Sequence, residues 1–157
     1  MFIIYFFISA IDAIFVQMLT YNLFVYGSLR SGFRNPAYSY LTENFHLVGE
    51  AVVKGMLYDN GNFPVAQPFN DDHFINGELY ALKNPNEFAW VFGQLDDYEG
   101  MNTEDDIPPA YIRKETIAYI DGKPIDAWIY WYNGDISNME PIETGDVLKY
   151  LQQKNKP

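Results

Sequence analysis

The chain has 157 residues, of which 48% are hydrophobic and 20% charged, a size and composition typical of one folded domain and not of a disordered protein. Ten basic against 21 acidic residues give a net charge of −11. This charge disfavours sequence-independent binding to nucleic acid or to an anionic membrane, because both require a positive field. The absence of cysteine excludes disulfides, thiolate nucleophiles and cysteine-ligated metals.

The N-terminal segment is unusually apolar. Residues 1–16 are interrupted only by Asp12 and are too short for a membrane span. No lysine or arginine precedes Arg30 and no clean cleavage motif follows, so a signal peptide is poorly supported. We favour a start codon assigned too early, with Met18 as the natural start; an unconventional signal or anchor, an extra helix and an oligomer contact stay open. We therefore divide the chain into an extension over 1–17 and a single domain over 18–157.

The first half of the domain is predicted to consist mostly of strands. The apolar run Asn22–Tyr26 ends at a glycine–serine pair and is typical of a buried strand. A short helix is expected over Ala37–Leu41, after Pro36. Phe45–Tyr58 predicts a strand pair or one bent strand, interrupted by two glycines. A polar turn follows at 59–62.

The middle of the chain combines a strand with the best-marked helix. Ile75–Leu82 has the pattern of a strand. Asn84 then stands where an N-cap is expected, with Pro85 at the first helical position and Glu87 at the third. Gly100 provides the matching helix end.

The last part of the chain predicts a hairpin and a terminal helix. Ile112–Ile120 and Ile125–Tyr132 are rich in β-forming residues and flank a turn that contains Asp121 and Gly122. Thr144–Gln153 predicts a final helix. Many strands with one strong central helix indicate an α+β fold built on a small curved sheet or barrel.

The central helix singles out Glu99. Its apolar residues recur at i, i+3, i+4 and i+7, and these are Phe88, Val91, Phe92 and Leu95. Glu99 continues this spacing and lies roughly 20° from Phe88 around the helix, whereas Asp96 and Asp97 should point elsewhere, toward water. Burial and the helix C-terminus both raise a carboxyl pKa, which favours a general base. Alternatively, Glu99 swings out past the helix end into solvent.

The loop from Tyr26 to Arg30 is the second candidate. A strand that runs into glycine and serine can turn backbone N–H groups into open space, where they hold a carboxylate or an oxyanion. The spacing of a P-loop and that of a nucleophile elbow are both missing. On its own such a sequence is usually only a turn.

Other signals are weaker. The two histidines, His46 and His73, have no partner at metal-ligand spacing, so we expect no metal site. The aromatic run of Trp128, Tyr130 and Tyr132 is typical of strand core, although alternate phenols could line a pocket.

Taken together, six segments are informative by their order and spacing. They are VYGSLR (25–30), GMLYDNGNFPV (55–65), INGELYAL (75–82), LDDYEG (95–100), YIRKE (111–115) and DAWIYWY (126–132). In this combination the chain resembles the gamma-glutamylcyclotransferase-like family, in particular its bacterial-type gamma-glutamylamine cyclotransferase branch. The resemblance runs from about Leu23 to Tyr132.

The resemblance implies a small mixed β-barrel with flanking helices and assigns roles to individual residues. Glu99 is expected to be the catalytic acid/base. The residues expected to contact the substrate are Tyr26, Gly27, Ser28, Leu29, Arg30 and a late-strand tyrosine, either Tyr130 or Tyr132. Arg113 is a further charged candidate; a structural ion pair is the alternative for both Arg30 and Arg113, and we favour it for Arg113.

The implied activity is release of 5-oxoproline and an amine from a small gamma-glutamyl compound, in the cytoplasm, without metal or cofactor. We expect a small-molecule substrate as partner, and no nucleic acid or membrane for the folded domain. Two alternatives stay open: a non-catalytic module that binds a metabolite or a partner protein, and another ring-closing or amide-cleaving reaction. The leaving group and the oligomeric state are not predicted.

Overall fold

A computed structural model describes residues 19–157. The predicted extension over 1–17 lies outside the described residues, and its interpretation stays a prediction. Within the described part, no helix is long and apolar enough to cross a membrane.

The described chain contains eight strands, three α-helices and two short 3₁₀ helices. The strands are β1 Asn22–Val25, β2 Phe45–Lys54, β3 Met56–Asp59, β4 Pro64–Gln67, β5 Phe74–Leu82, β6 Tyr111–Ile120, β7 Lys123–Tyr132 and β8 Glu140–Ile142. The α-helices are α1 Ala37–Asn44, α2 Phe88–Tyr98 and α3 Val147–Lys154, and the 3₁₀ helices are Ser31–Phe33 and Pro85–Glu87.

Five strands form a closed barrel in the order β1-β5-β2-β6-β7. Its neighbours pair antiparallel, except that β1 and β7 meet in parallel where Leu23 faces Trp128. The remaining strands form a separate sheet in the order β4-β3-β8. The predicted α+β fold, a small mixed barrel with flanking helices, is confirmed.

Alternate side chains of β1 belong to two different clusters of the hydrophobic core. Phe24 packs inside the barrel, in the cluster that contains Val53 and Leu79, because successive side chains of a strand point to opposite faces. Leu23 and Val25 pack on the outside, in the cluster beneath α2. Helix α2 contributes Val91, Phe92 and Leu95 to this second cluster, each at most 2% exposed. Their burial stabilises the contact by about 2 kcal/mol per side chain.

Differences from the sequence-based elements concern short segments. The predicted unit Phe45–Tyr58 is divided at Gly55, and its two parts, β2 and β3, belong to different sheets. Strands β4 and β8 were not predicted, because three or four residues are too few to show a period. Helix α3 begins at Val147 because the side chain of Asp146 caps it, accepting the Lys149 N–H.

Candidate functional site

The loop after β1 is a tight turn whose residues line a pocket. The Arg30 N–H donates to the Gly27 carbonyl at 3.0 Å, which closes the turn. Among the described residues, no carbonyl or side chain accepts a hydrogen bond from the N–H groups of Gly27, Ser28 or Leu29. Three successive free amides in a turn are donors of the kind that can bind a carboxylate or an oxyanion.

The same pocket contains Glu99. Its N–H donates to the Leu95 carbonyl at 2.9 Å, and its backbone keeps helical angles, so Glu99 still belongs to the last turn of α2. Gly100 then turns the chain with a φ of +74°, and the Met101 N–H donates back to the Asp96 carbonyl at 2.9 Å. The helix end is therefore held closed, and the Glu99 side chain lines the pocket instead of extending into solvent.

The pocket has a volume of about 90 Å³ and draws on five parts of the chain. One wall is residues 24–29, the end of β1 and its loop. Phe63 and Pro64 contribute from the start of β4. Glu99, with Tyr111 of β6 and Tyr130 of β7, completes the lining, which contains no lysine or arginine among the described residues.

Burial raises the pKa of Glu99 to about 7. A carboxyl in this range is partly ionised near neutral pH and can both accept and return a proton. Its negative form also acts on the surrounding phenols. Burial, followed by the charge of Glu99, raises the pKa of Tyr111 to about 12. Tyr111 therefore stays protonated and is available as a hydrogen-bond donor.

Tyr26 and Tyr130 connect the two strands that close the barrel. The Tyr26 hydroxyl donates to the Tyr130 carbonyl at 2.7 Å, and both residues are at most 8% exposed. Burial, then the neighbouring Tyr111 and Glu99, raises the pKa of Tyr26 well above its ordinary value. The aromatic walls of the pocket are thus neutral.

Asp96 corrects one expectation. It was predicted to point toward water, but its carboxylate accepts the Tyr130 hydroxyl at 2.7 Å and pairs with Arg113 at 3.5 Å. The Arg113 guanidinium also lies over the rings of Phe92 and Trp128, 4.9 and 5.0 Å from their centroids. Arg113 is therefore engaged as a structural ion pair and cation–π partner. Asp97, in contrast, is exposed.

The structure brings most of the predicted site residues together, but not all of them. Tyr26, Gly27, Ser28, Leu29, Glu99 and Tyr130 line one pocket. Arg30 does not: its side chain is buried outside the pocket and pairs with Asp146 at 3.1 Å. Tyr132 also lies outside, although its ring is 5.7 Å from that of Tyr111. Of the two late-strand tyrosines, Tyr130 is thus the one at the pocket.

Sequence reasoning did not find Phe63 or Tyr111 as pocket residues. Both lie within segments that carried the family resemblance, but no periodicity connects them to Glu99. Among the described residues no group of three histidine, aspartate or glutamate side chains is arranged to hold a metal ion.

Comparison with known proteins identifies the family. Residues 23–149 match the family described as "Gamma-glutamyl cyclotransferase, AIG2-like". The gamma-glutamylcyclotransferase family protein YtfP of Escherichia coli K12 is 30% identical over 128 residues, which are 81% of this chain and 96% of YtfP.

Solved structures show the same fold. The solution structure of Escherichia coli ytfP superimposes with a TM-score of 0.55 at 27% identity, over 82% of this chain and 97% of ytfP. The crystal structure of YkqA from Bacillus subtilis gives a TM-score of 0.62 at 24% identity; 88% of this chain matches, and it spans 44% of that longer protein. On the evidence of the family match and of these relatives, the chain belongs to the gamma-glutamyl cyclotransferase, AIG2-like family.

Proposed function

We propose that this protein is a gamma-glutamyl cyclotransferase that converts a small gamma-glutamyl amide into 5-oxoproline and a free amine. The observation that carries the proposal is the position of Glu99, a half-buried carboxyl with a pKa of about 7, in the same pocket as the free amides of the Gly27–Leu29 turn. Family membership supports the reaction class.

In the proposed reaction Glu99 first takes one proton from the substrate's α-ammonium group. The freed α-nitrogen attacks the γ-carbonyl carbon, and a C–N bond closes the five-membered ring. The bond between that carbon and the amide nitrogen then breaks, and Glu99 returns its proton to the leaving nitrogen. The ring nitrogen loses its second proton to water as the released amine takes one up. The products are 5-oxoproline and an ammonium ion.

The rest of the pocket would position the substrate for this ring closure. The free N–H groups of the turn would receive the α-carboxylate or the developing carbonyl oxyanion. Tyr111 and Tyr130, both protonated, would border the glutamyl chain. Because nucleophile and electrophile belong to one molecule, fixed geometry removes much of the entropic barrier, and one acid/base group suffices. No step of this mechanism uses a metal or a cofactor.

Glu99→Gln tests the proposal. We expect kcat for 5-oxoproline release from gamma-glutamyl amides to fall by about 10²–10⁴-fold, the usual contribution of a positioned acid/base group. Binding of 5-oxoproline, measured by calorimetry, should be retained. The wild-type kcat/KM should rise with pH through about 7, where Glu99 ionises, and the variant should lose this rise.

Glu104→Gln is the matched control, because Glu104 is exposed five positions along the chain and outside the pocket. It should leave the rate and its pH profile unchanged. A Glu99→Gln protein with wild-type turnover would refute the role of Glu99. If gamma-glutamyl amines, dipeptides and glutathione all bind without release of 5-oxoproline, the non-catalytic binding module is the better description.

A further inference from the structure

Glu78 is a buried carboxylate directly behind the candidate substrate loop. It lies on β5 opposite Val25, the last residue of β1, and is only 8% exposed. It does not line the pocket, so the proposed reaction does not use it directly. A buried charge is costly unless it is hydrogen-bonded, and its partners therefore indicate its role.

Among the described residues, two of the three hydrogen bonds that the Glu78 carboxylate accepts come from the end of the loop. The Ser31 hydroxyl donates to Oε1 at 2.6 Å, and the Ser31 N–H donates to Oε2 at 3.1 Å. The third donor is the Tyr80 hydroxyl, at 2.7 Å from Oε2. Burial raises the pKa of Glu78, but the hydrogen bonds from Ser31 and Tyr80 outweigh it and leave the pKa below its ordinary value. Glu78 is therefore ionised at neutral pH.

This arrangement fixes the loop at both of its ends through one residue. The backbone of Glu78 pairs with Val25 just before the loop, and its side chain binds Ser31 just after it. Between these points the Tyr26 hydroxyl is bound to the Tyr130 carbonyl and the Arg30 guanidinium is paired with Asp146, but both contacts are made by side chains. Among the described residues, the backbone of the turn itself is closed by one bond, from the Arg30 N–H to the Gly27 carbonyl. The bond from the Ser31 N–H to Glu78 adds a second attachment of the backbone, directly after the turn.

We propose that Glu78 is a positioning residue for the substrate loop: its carboxylate, bound to Ser31, holds the amides of residues 27–29 toward the pocket. The inference rests on the proposed function for its effect on turnover, but the fixed geometry of the loop can be measured without any activity.

The test compares four variants. Glu78→Leu removes both bonds to the loop, and Ser31→Ala removes only the hydroxyl bond. Tyr80→Phe is the matched control, because it removes a hydrogen bond to the same carboxylate but none of the bonds between that carboxylate and the loop. Glu78→Gln is the conservative replacement: its carbonyl oxygen can still accept from the Ser31 N–H and from Tyr80, and its NH₂ group can donate to the Ser31 hydroxyl.

The first readout is the split between KM and kcat for a gamma-glutamyl amide. Glu78→Leu should raise KM by about tenfold, the value of a hydrogen bond to a charged group, with a smaller effect on kcat, because loop amides that hold the substrate's α-carboxylate act in the ground state and the transition state alike. Ser31→Ala should raise KM about threefold. Tyr80→Phe and Glu78→Gln should keep wild-type KM within about twofold.

The second readout is amide hydrogen exchange of Arg30, whose N–H bonds within the loop. Its protection should fall by about tenfold in Glu78→Leu and remain unchanged in Tyr80→Phe.

If Glu78→Leu does not fold, Ser31→Ala decides the question by the same two measurements. Unchanged Arg30 exchange and KM in Ser31→Ala and Glu78→Leu, or equal losses in Tyr80→Phe, would overturn the inference. A wild-type protein without turnover would refute the proposed function alone, and Arg30 exchange would still decide the role of Glu78.

Discussion

Burial of Glu99 in the pocket lowers the stability of the fold by an amount that depends on pH. Its pKa in the folded protein, about 7, lies above the ordinary value of 4.5, so the fold favours the protonated form. The folded state then binds more protons than the unfolded chain between these values, and stability falls as pH rises through this window. The contribution of protonated Glu99 to the free energy of unfolding is fully present below about pH 4.5, and it is lost above about pH 7.

We expect Glu99→Gln to remove this dependence, because a glutamine has no charge to bury. At pH 4 its free energy of unfolding should be close to that of the wild type. At pH 8 it should exceed the wild type by up to about 3 kcal/mol. Urea unfolding at the two pH values measures the difference, with Glu104→Gln as the exposed control. If Glu99→Gln exceeds the wild type by the same free energy of unfolding at pH 4 and at pH 8, ionisation of Glu99 is not the cause.

At the scale of the elements, the close approach of β1 to β5 depends on Gly77. A Cβ at this position would collide with the Val25 carbonyl oxygen and come within 2.5 Å of the Phe24 ring. These atoms belong to the strand that leads into the substrate loop. Gly77 and Glu78 therefore have two separate roles. Gly77 leaves room for β1, and the Glu78 side chain binds Ser31, which follows the loop after β1.

Gly77→Ala should lower the free energy of unfolding by about 1–3 kcal/mol, the usual cost of added volume in a packed core. Gly93→Ala is the matched control within α2, because a Cβ there would meet no atom within 4 Å. It should be stabilising by up to about 1 kcal/mol, since alanine favours helix over glycine. Chemical denaturation compares the two. Equal effects from both changes would contradict the crowding argument.

The elements also show what sequence could and could not predict. Strong periodicity in α2 correctly indicated its buried face and the inward position of Glu99, because helix geometry fixes angles between residues on one element. It failed for Asp96, whose partners Tyr130 and Arg113 lie on β7 and β6. Angles along a helix carry no information about partners on distant strands. The burial of Arg30 against Asp146 is a tertiary contact of the same kind.

At the scale of the whole molecule, the charge of −11 bears on the choice of substrate. No cation lines the pocket among the described residues, and Arg113 nearby is already paired with Asp96. A leaving group with its own carboxylate would be repelled by the negative field of the protein and would find no cation in the pocket to pair with. A cationic amine would be attracted by the same field.

We therefore expect opposite salt effects on two substrates. Raising ionic strength from about 0.01 to 0.15 M shortens the screening length from about 30 to 8 Å. It should lower kcat/KM for gamma-glutamylputrescine, which has a cationic leaving group, and raise it for gamma-glutamylglutamate. A neutral gamma-glutamyl ethylamide serves as the control and should change little. The same salt response for all three would show that the field of the protein does not steer substrates.

The parallel contact between β1 and β7 has a consequence for when the pocket forms during synthesis of the chain. The pocket takes Tyr26 from one side of this seam and Tyr130 from the other, 104 positions later in the chain. A nascent polypeptide leaving the ribosome thus carries its loop and Glu99 well before Tyr130, which completes the lining of the pocket. The cavity can form only after β7 has emerged, which places its formation late in synthesis.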